Sequence, residues 1–197
     1  MDYIQKLKNI AAQNGGIIDN KTAAAHGISR ATLSKLCAEG KVQRILRGQY
    51  IFADDLQDEL LSIDKRSPYI IFSHETALFL HGMSDRTPFE HSITAPSDKV
   101  PSKAIMEEFK VYYIKPELFE LGKTMLTTPA GNQVTAYDLE RTICDIVRSR
   151  NKIGTETFLV ALKMYAASSK KDLNKLNSYA KQMRLANVVR KYLEVLL

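Results

Sequence analysis

Two short helix-forming segments meet at Gly27, and this junction limits the fold of the N-terminal part more than any other sequence feature. The first segment, Thr22 to His26, contains three consecutive alanines, which favour helix and let another helix approach closely. The second, Arg30 to Glu39, can begin at Ser29, whose side-chain oxygen can accept a hydrogen bond from a free N–H group of the first turn. Glycine suits the left-handed conformation that follows a helix C-terminus. The junction therefore predicts a helix-turn-helix.

The flanking segments extend this motif into a domain. Residues 2–12 carry apolar residues at helical spacing, which predicts a short amphipathic helix, and Asp19 or Asn20 can cap the first helix of the pair. Residues 42–52 are rich in β-branched and aromatic residues around Arg47 and Gly48, which predicts a β-hairpin. A hairpin directly after a helix-turn-helix is a wing, so residues 1–55 are predicted to form a winged helix-turn-helix domain.

The second helix of the pair has an outer face suited to DNA. When Leu33 and Leu36 face the core, small polar and basic residues lie on the opposite side or at its edges. A thin polar surface allows a helix to enter the major groove, where basic side chains donate to guanine edges or phosphates. Basic residues of the hairpin can reach phosphates or the adjacent minor groove. The candidate DNA-binding residues are Arg30, Ala31, Thr32, Ser34, Lys35, Arg44 and Arg47. The alternative is a generic three-helix packing unit.

The net charge of +6 is unevenly distributed along the chain. Residues 1–53 and residues 135–197 are both basic, whereas the segment between them is acidic. Two basic ends suit a polyanionic partner, although a solvated lysine surface produces the same balance. A possible secondary surface for phosphate comprises Lys163, Lys170, Lys171, Lys175, Lys181 and Arg184.

The rest of the chain predicts a second domain, and the fold class is α+β. Residues 56–68 are predicted to form a helical linker, and residues 69–197 form a domain in which strands precede a run of helices. Strands are expected at 69–72, 92–95 and 111–114, with a hairpin over 123–135. Helices are expected at 73–81, 137–150, 155–166, 172–183 and 188–197, the first of them capped by Ser73.

We find no pattern typical of an enzyme or a metal site. Ser73 and His74 are neighbours at a helix start, so their side chains are expected to diverge, and no nucleophile-elbow motif is present. A nuclease centre would need Asp138, Glu140 and Asp145 to converge on a metal ion, whereas Glu140 and Arg141 are expected to form an ion pair or a cap. No cofactor-binding motif is found, and neither zinc nor another metal is expected.

The expected location is the cytoplasm. Two cysteines, Cys37 and Cys144, cannot form a disulfide framework and are interpreted as small buried residues in a reducing compartment. The longest apolar runs are too short to cross a membrane, and the first residues lack the apolar core of a secretory signal.

Three stretches resemble the AbiEi antitoxins of the AbiE abortive-infection systems, which are type IV toxin–antitoxin systems. The N-terminal stretch is similar at Ala24, His26 to Ser29, Leu33, Leu36, Arg44 to Ile45 and Arg47 to Tyr50. The second stretch is Phe72 to Pro88 and the third is Leu139 to Asp145. Together they extend the resemblance over essentially the whole chain.

The resemblance implies a bifunctional antitoxin. Its winged domain would repress its own operon by binding inverted repeats at the promoter, as a weak dimer or as monomers that cooperate on DNA. Its C-terminal domain would counteract a nucleotidyltransferase-like toxin during phage infection, without a stable antitoxin–toxin complex. The family pattern offers no catalytic residues. Three alternatives remain open: a plain winged-helix regulator without a toxin partner, a module that masks the toxin by binding it, and a metal-dependent nuclease.

Overall fold

The computed structural model describes residues 3–84 and 86–194, and its fold class is α+β, as predicted. The chain divides into two compact units. The first comprises residues 1–66 together with 128–132, and the second comprises residues 67–127 and 133–197. Asp85, within the stretch Phe72 to Pro88, and the last three residues of the expected final helix lie outside the described residues.

The first unit combines four helices with a three-stranded antiparallel sheet of order β1-β3-β2. Leu7, Ile18 and Leu33 lie at the centre of its core and are fully buried. The predicted helices and hairpin are confirmed, whereas β1 is not predicted, because a stretch as short as Ile17-Ile18 indicates only an apolar link. The elements are α1 (Tyr3–Gln13), β1 (Ile18–Asp19), α2 (Asn20–Ala25), α3 (Arg30–Ala38), β2 (Val42–Leu46), β3 (Gln49–Phe52) and α4 (Glu59–Asp64).

Helix α4 lies in the segment predicted to be a linker, and its apolar side is buried in the first unit. Asp58 caps this helix by accepting a hydrogen bond from the Leu61 N–H, with a distance of 3.2 Å. The second oxygen of Asp58 accepts hydrogen bonds from the Thr128 hydroxyl at 2.6 Å and the Asn132 amide at 2.8 Å. The Asp58 carboxylate therefore links the turn 128–132 to the first unit, although the turn is distant in sequence.

The second unit is a five-stranded mixed sheet of order β6-β5-β4-β8-β7 with a run of four helices at its C-terminal end. Strand pairs β4/β8 and β5/β6 are parallel, and β4/β5 and β7/β8 are antiparallel. The predicted strands and helices are present with small shifts at their ends, whereas α6 is not predicted. The elements are β4 (Ile71–Phe72), α5 (His74–Leu80), β5 (Ser92–Pro96), α6 (Lys103–Glu108), β6 (Lys110–Ile114), β7 (Lys123–Thr127), β8 (Gln133–Tyr137), α7 (Leu139–Arg148), α8 (Thr155–Ala167), α9 (Leu173–Gln182) and α10 (Ala186–Leu193).

Helix α7 is the central helix of the second unit, and it is buried on nearly every side. Asp138 caps it through the Arg141 N–H. Inside the helix, the fully buried Arg141 pairs with Asp145 at 3.1 Å, one helical turn further along. The guanidinium also donates to the carbonyls of Leu118 and Leu121, at 2.7 and 2.6 Å. The charge is thereby matched by one carboxylate and two backbone oxygens.

Three local predictions about the second unit are wrong. Ser73 precedes α5 but its side chain caps nothing, because its hydroxyl is engaged with Thr94 and with the His74 ring. For the same reason the side chains of Ser73 and His74 converge rather than diverge. Arg141 pairs with Asp145 rather than with Glu140, because residues four apart on a helix face each other whereas neighbours do not.

Candidate nucleic-acid interface

The turn between α2 and α3 is held by hydrogen bonds at both helix ends. The Asp19 carboxylate accepts from the Thr22 N–H at 2.8 Å, as the sequence predicts. After α2, Gly27 adopts a φ of +77°, and the Ile28 N–H donates back to the Ala23 carbonyl at 2.9 Å. The Ser29 hydroxyl then accepts from the N–H of residue 32 at 3.1 Å, which starts α3. These contacts set the orientation of α3 relative to α2.

The cap at Asp19 has a measurable pH signature. Burial opposes ionisation of Asp19, but hydrogen bonds from Thr22 outweigh it and lower the pKa of this carboxyl. We expect Asp19→Ala to cost about 1 kcal/mol of stability at neutral pH. Because the folded pKa is depressed, this contribution is fully present above the unfolded pKa of about 3.9 and is lost as pH falls through the folded value.

Urea denaturation between pH 3 and 7 tests this prediction, with Asp19→Asn as the matched control. Asparagine caps helices as well as aspartate does but carries no charge, so it should retain most of the stability at pH 7 and show no titration. A cost of Asp19→Ala that is the same at pH 3 and pH 7 would contradict the assigned role.

The outer face of α3 is exposed, as the helical spacing predicts. Leu33 and Leu36 are buried, whereas Arg30, Ala31, Ser34 and Lys35 are exposed. The fifth predicted residue of this helix, Thr32, is half-buried, and its hydroxyl lies 3.0 Å from that of Ser29. The Lys35 side chain is 78% exposed and lies 3.9 Å from Glu39, whose other oxygen is only 2.8 Å from Lys41. The Lys35 ammonium can therefore leave this weak ion pair with Glu39 and bind a ligand.

The hairpin β2–β3 places a second pair of cations on the first unit. Arg44 lies in β2 and is exposed, with its Nε donating to the Leu46 carbonyl at 3.2 Å. Arg47 is exposed in the turn, next to Gly48, which has a φ of +83°. The Gly48 carbonyl accepts from the N–H of Asn20 at 2.9 Å, so this turn is joined to the start of α2.

The aromatic residues of the hairpin face the core. Tyr50 is buried, and the partly buried Phe52 packs on the same cluster. Lys21, in the first turn of α2, is a further exposed cation that is not among the predicted residues. No sequence motif marks Lys21, and only its position beside the start of α2 could have identified it as a candidate.

The basic residues predicted as a secondary surface lie on α8, on α9 and in the segments that follow these helices. All six are exposed or partly exposed: Lys163, Lys170, Lys171, Lys175, Lys181 and Arg184. The Lys171 ammonium donates to the Ser168 carbonyl at 3.2 Å. Lys175 is engaged with two carboxylates, at 3.0 Å from Asp138 and 3.7 Å from Glu140. Lys175 must therefore break an ion pair before it can contact a phosphate.

The three carboxylates considered for a nuclease centre all have protein partners. Asp138 caps α7, binds Lys175 and accepts from the Tyr179 hydroxyl. Glu140 accepts from the N–H of Asp172 at 2.9 Å, and Asp145 pairs with Arg141. Within residues 3–84 and 86–194, no group of three or more histidine, cysteine, aspartate or glutamate side chains could hold a metal ion. None of the helices in these ranges has the length and apolar character needed to span a bilayer.

Comparisons with known proteins find one similar family and one similar solved structure. Residues 5–53 match a family model described as a transcriptional regulator, AbiEi antitoxin. The solved structure of the RV2827C protein from Mycobacterium tuberculosis is similar in fold, with a TM-score of 0.67 and 13% sequence identity. The similarity covers 95% of this chain and 74% of that one. No curated protein sequence matches the chain.

Proposed function

We propose that the protein, whose residues 5–53 match the family model of AbiEi antitoxin transcriptional regulators, is a DNA-binding antitoxin that represses its own operon. In this proposal residues 1–55 act as a winged helix-turn-helix domain. Helix α3 enters the major groove and the hairpin β2–β3 is the wing. The observation that carries the proposal is the outer face of α3, which is exposed, thin and basic on a helix with capped ends.

The residues of this surface have separate roles in the proposal. Arg30 and Lys35 donate hydrogen bonds to base edges, with Thr32 and Ser34 between them and Ala31 allowing close approach. Arg44 and Arg47 hold backbone phosphates, which position the domain without reading sequence. The exposed basic residues of α8 and α9 add a weaker attraction for DNA that depends on salt.

The operator is proposed to contain inverted repeats, because repressors of this type occupy half-sites related by two-fold symmetry. Either a weak dimer or two monomers that cooperate on DNA can fill such a site. We propose that the second unit counteracts a nucleotidyltransferase-like toxin in defence against phage, without a stable complex. Co-purification of the two proteins through size exclusion at micromolar concentration would contradict that last point and favour direct masking of the toxin.

Two rival functions have direct tests. A regulator without a toxin partner is favoured if no nucleotidyltransferase reading frame lies next to the gene. A nuclease is disfavoured by the contacts of Asp138, Glu140 and Asp145, which are used within the fold. Metal-dependent nicking of labelled DNA by the pure protein, lost in Glu140→Ala, would overturn the non-enzymatic proposal.

The primary test is a gel-shift titration with the upstream region of the gene and a scrambled duplex of equal length. We expect the upstream region to bind more tightly by about 10³-fold or more, the usual order for specific over non-specific binding. The preference should persist between about 50 and 200 mM salt, whereas non-specific binding should weaken steeply over that range. Equal binding to both duplexes, abolished at the higher salt, would refute base readout by α3.

A further inference from the structure

A cavity of about 380 Å³ opens in the second unit between strand β6 and the segment that follows α7. This volume lies within the range of small-molecule sites. The polar residues that line it are Lys110, Tyr112, Arg148, Ser149, Asn151 and Lys152. Three of these six are cations, and none of the described lining residues is acidic. The lining therefore favours an anion.

The charge of two of these cations is not matched by a carboxylate. Lys110 pairs with Glu75 at 2.9 Å, so its charge is largely compensated. Arg148 donates one N–H to the Tyr113 carbonyl at 3.0 Å, and no ion pair is found for Arg148 or Lys152 among the described residues. Arg148 offsets the negative end of the α7 dipole. That role does not account for Lys152, which lies beyond the helix end.

The wall of the cavity contains the buried phenol of Tyr112. Tyr112 is only 8% exposed, and the Lys110 ammonium interacts with its hydroxyl and lies 5.6 Å from the centre of its ring. The phenol ring is held in place because it stacks on His74, with ring centroids 3.5 Å apart.

A chain of hydrogen bonds runs from the sheet to the same cavity. Thr94 donates to the Ser73 hydroxyl at 2.8 Å, Ser73 lies 2.9 Å from His74 Nδ1, and His74 Nε2 lies 3.0 Å from the Ser149 hydroxyl. His74 is fully buried with a φ of +47°, a left-handed conformation that is uncommon outside glycine, although histidine is among the residues that adopt it.

The direction of this chain follows from the protonation of His74. Burial, followed by the charges of Lys110 and Arg148, lowers the pKa of His74 well below its ordinary value, so the ring is neutral and carries one N–H. When Ser73, which accepts from Thr94, donates to Nδ1, the ring proton is on Nε2 and can be donated to Ser149. The hydroxyl proton of Ser149 then remains available to an acceptor in the cavity.

We propose that this cavity binds a small phosphate monoester, of nucleotide size or smaller, through Arg148, Lys152 and Ser149. Guanidinium groups bind phosphate through paired hydrogen bonds, and the ammonium adds a point charge. Ser149 adds a neutral donor that distinguishes a bound phosphate from a merely attracted ion. This site is distinct from the DNA-binding surface proposed for the first unit.

Isothermal titration of the full-length protein tests the proposal at constant ionic strength. The probes are inorganic phosphate, adenosine 5′-monophosphate and a single-stranded oligonucleotide without terminal phosphates. We expect saturable binding of the monophosphate, weakened about 10-fold or more in Arg148→Met/Lys152→Met. Lys103→Met, an exposed lysine on α6 outside the cavity, is the matched control and should bind as the unaltered protein does. Thermal unfolding of each variant establishes that it remains folded.

Ser149→Ala distinguishes a site with directed hydrogen bonds from nonspecific electrostatic attraction, because it leaves every charge in place. We expect this variant to bind the monophosphate several-fold more weakly. Unchanged binding in Ser149→Ala, or the absence of saturable monophosphate binding up to about 10 mM, would overturn the proposal. The proposal would also be overturned if the oligonucleotide bound, neither phosphate nor the monophosphate did, and Arg148→Met/Lys152→Met weakened that binding. The ligand of the cavity would then be a phosphodiester.

Discussion

Replacing Arg30 and Lys35 together with alanine should weaken binding to the operator by about 30-fold or more. Each side chain that reads a base contributes about 1–3 kcal/mol, and the removal of two such side chains corresponds to this factor at least. Both side chains are exposed on α3, and Lys35 is held only by a 3.9 Å ion pair with Glu39. The measurement is a gel-shift titration on the operator and on a scrambled duplex. Binding to the scrambled duplex should change much less.

Arg44→Ala/Arg47→Ala provides the matched comparison, since it removes the same number of cations from the hairpin instead. If these arginines bind phosphates, this variant should weaken binding to both duplexes alike and reduce the salt dependence of the affinity by about one for each arginine removed. Equal effects of the two double variants on both duplexes would show that α3 does not read bases. Unaltered operator binding by Arg30→Ala/Lys35→Ala would refute the assigned face.

Arg141→Met should destabilise the second unit by about 3–5 kcal/mol, because it leaves Asp145 as an unpaired charge in the interior. The carbonyls of Leu118 and Leu121 are also left without their donor. Total stabilities of folded proteins are about 5–15 kcal/mol, so this single change removes a large share. Urea denaturation followed by circular dichroism gives the free energy of unfolding.

Two controls distinguish the effect of burial on stability from the effect of the ion pair itself. Arg190→Met removes an arginine that lies 3.9 Å from Glu194 at the same spacing of four residues, but on an exposed part of α10. That variant should cost no more than about 1 kcal/mol. The double variant Arg141→Met/Asp145→Leu should regain most of the stability, because it removes the stranded charge as well. A cost for Arg141→Met as small as that for Arg190→Met would contradict the role of the buried pair.

Local sequence signals predict the elements whose cause lies within a few residues. Ser29 and Gly27 mark the ends of α3 and α2, and the spacing of Leu33 and Leu36 determines which side of α3 is exposed. The hairpin around Gly48 follows from its turn residues and its β-branched flanks. The predicted DNA-binding residues could be chosen by position for this reason.

Features that depend on distant partners could not be predicted. Strand β1 has two residues, and it is a strand only because Ile18 pairs with Tyr50 of β3. Ser73 has the sequence of a helix cap, but Thr94 on the neighbouring strand engages its hydroxyl instead. The proposed phosphate cavity combines residues 110–113 with residues 148–152, which no local pattern connects.

The assignment of residues 128–132 to the first unit has a consequence for protein synthesis. A ribosome that has released residues 1–66 has produced every helix and strand of that unit, but Asp58 still lacks the Thr128 and Asn132 groups that bind its second oxygen. At roughly 5–20 residues per second, these groups emerge several seconds later. The nascent first unit is therefore completed only when a turn made long after its last helix supplies the remaining donors to Asp58.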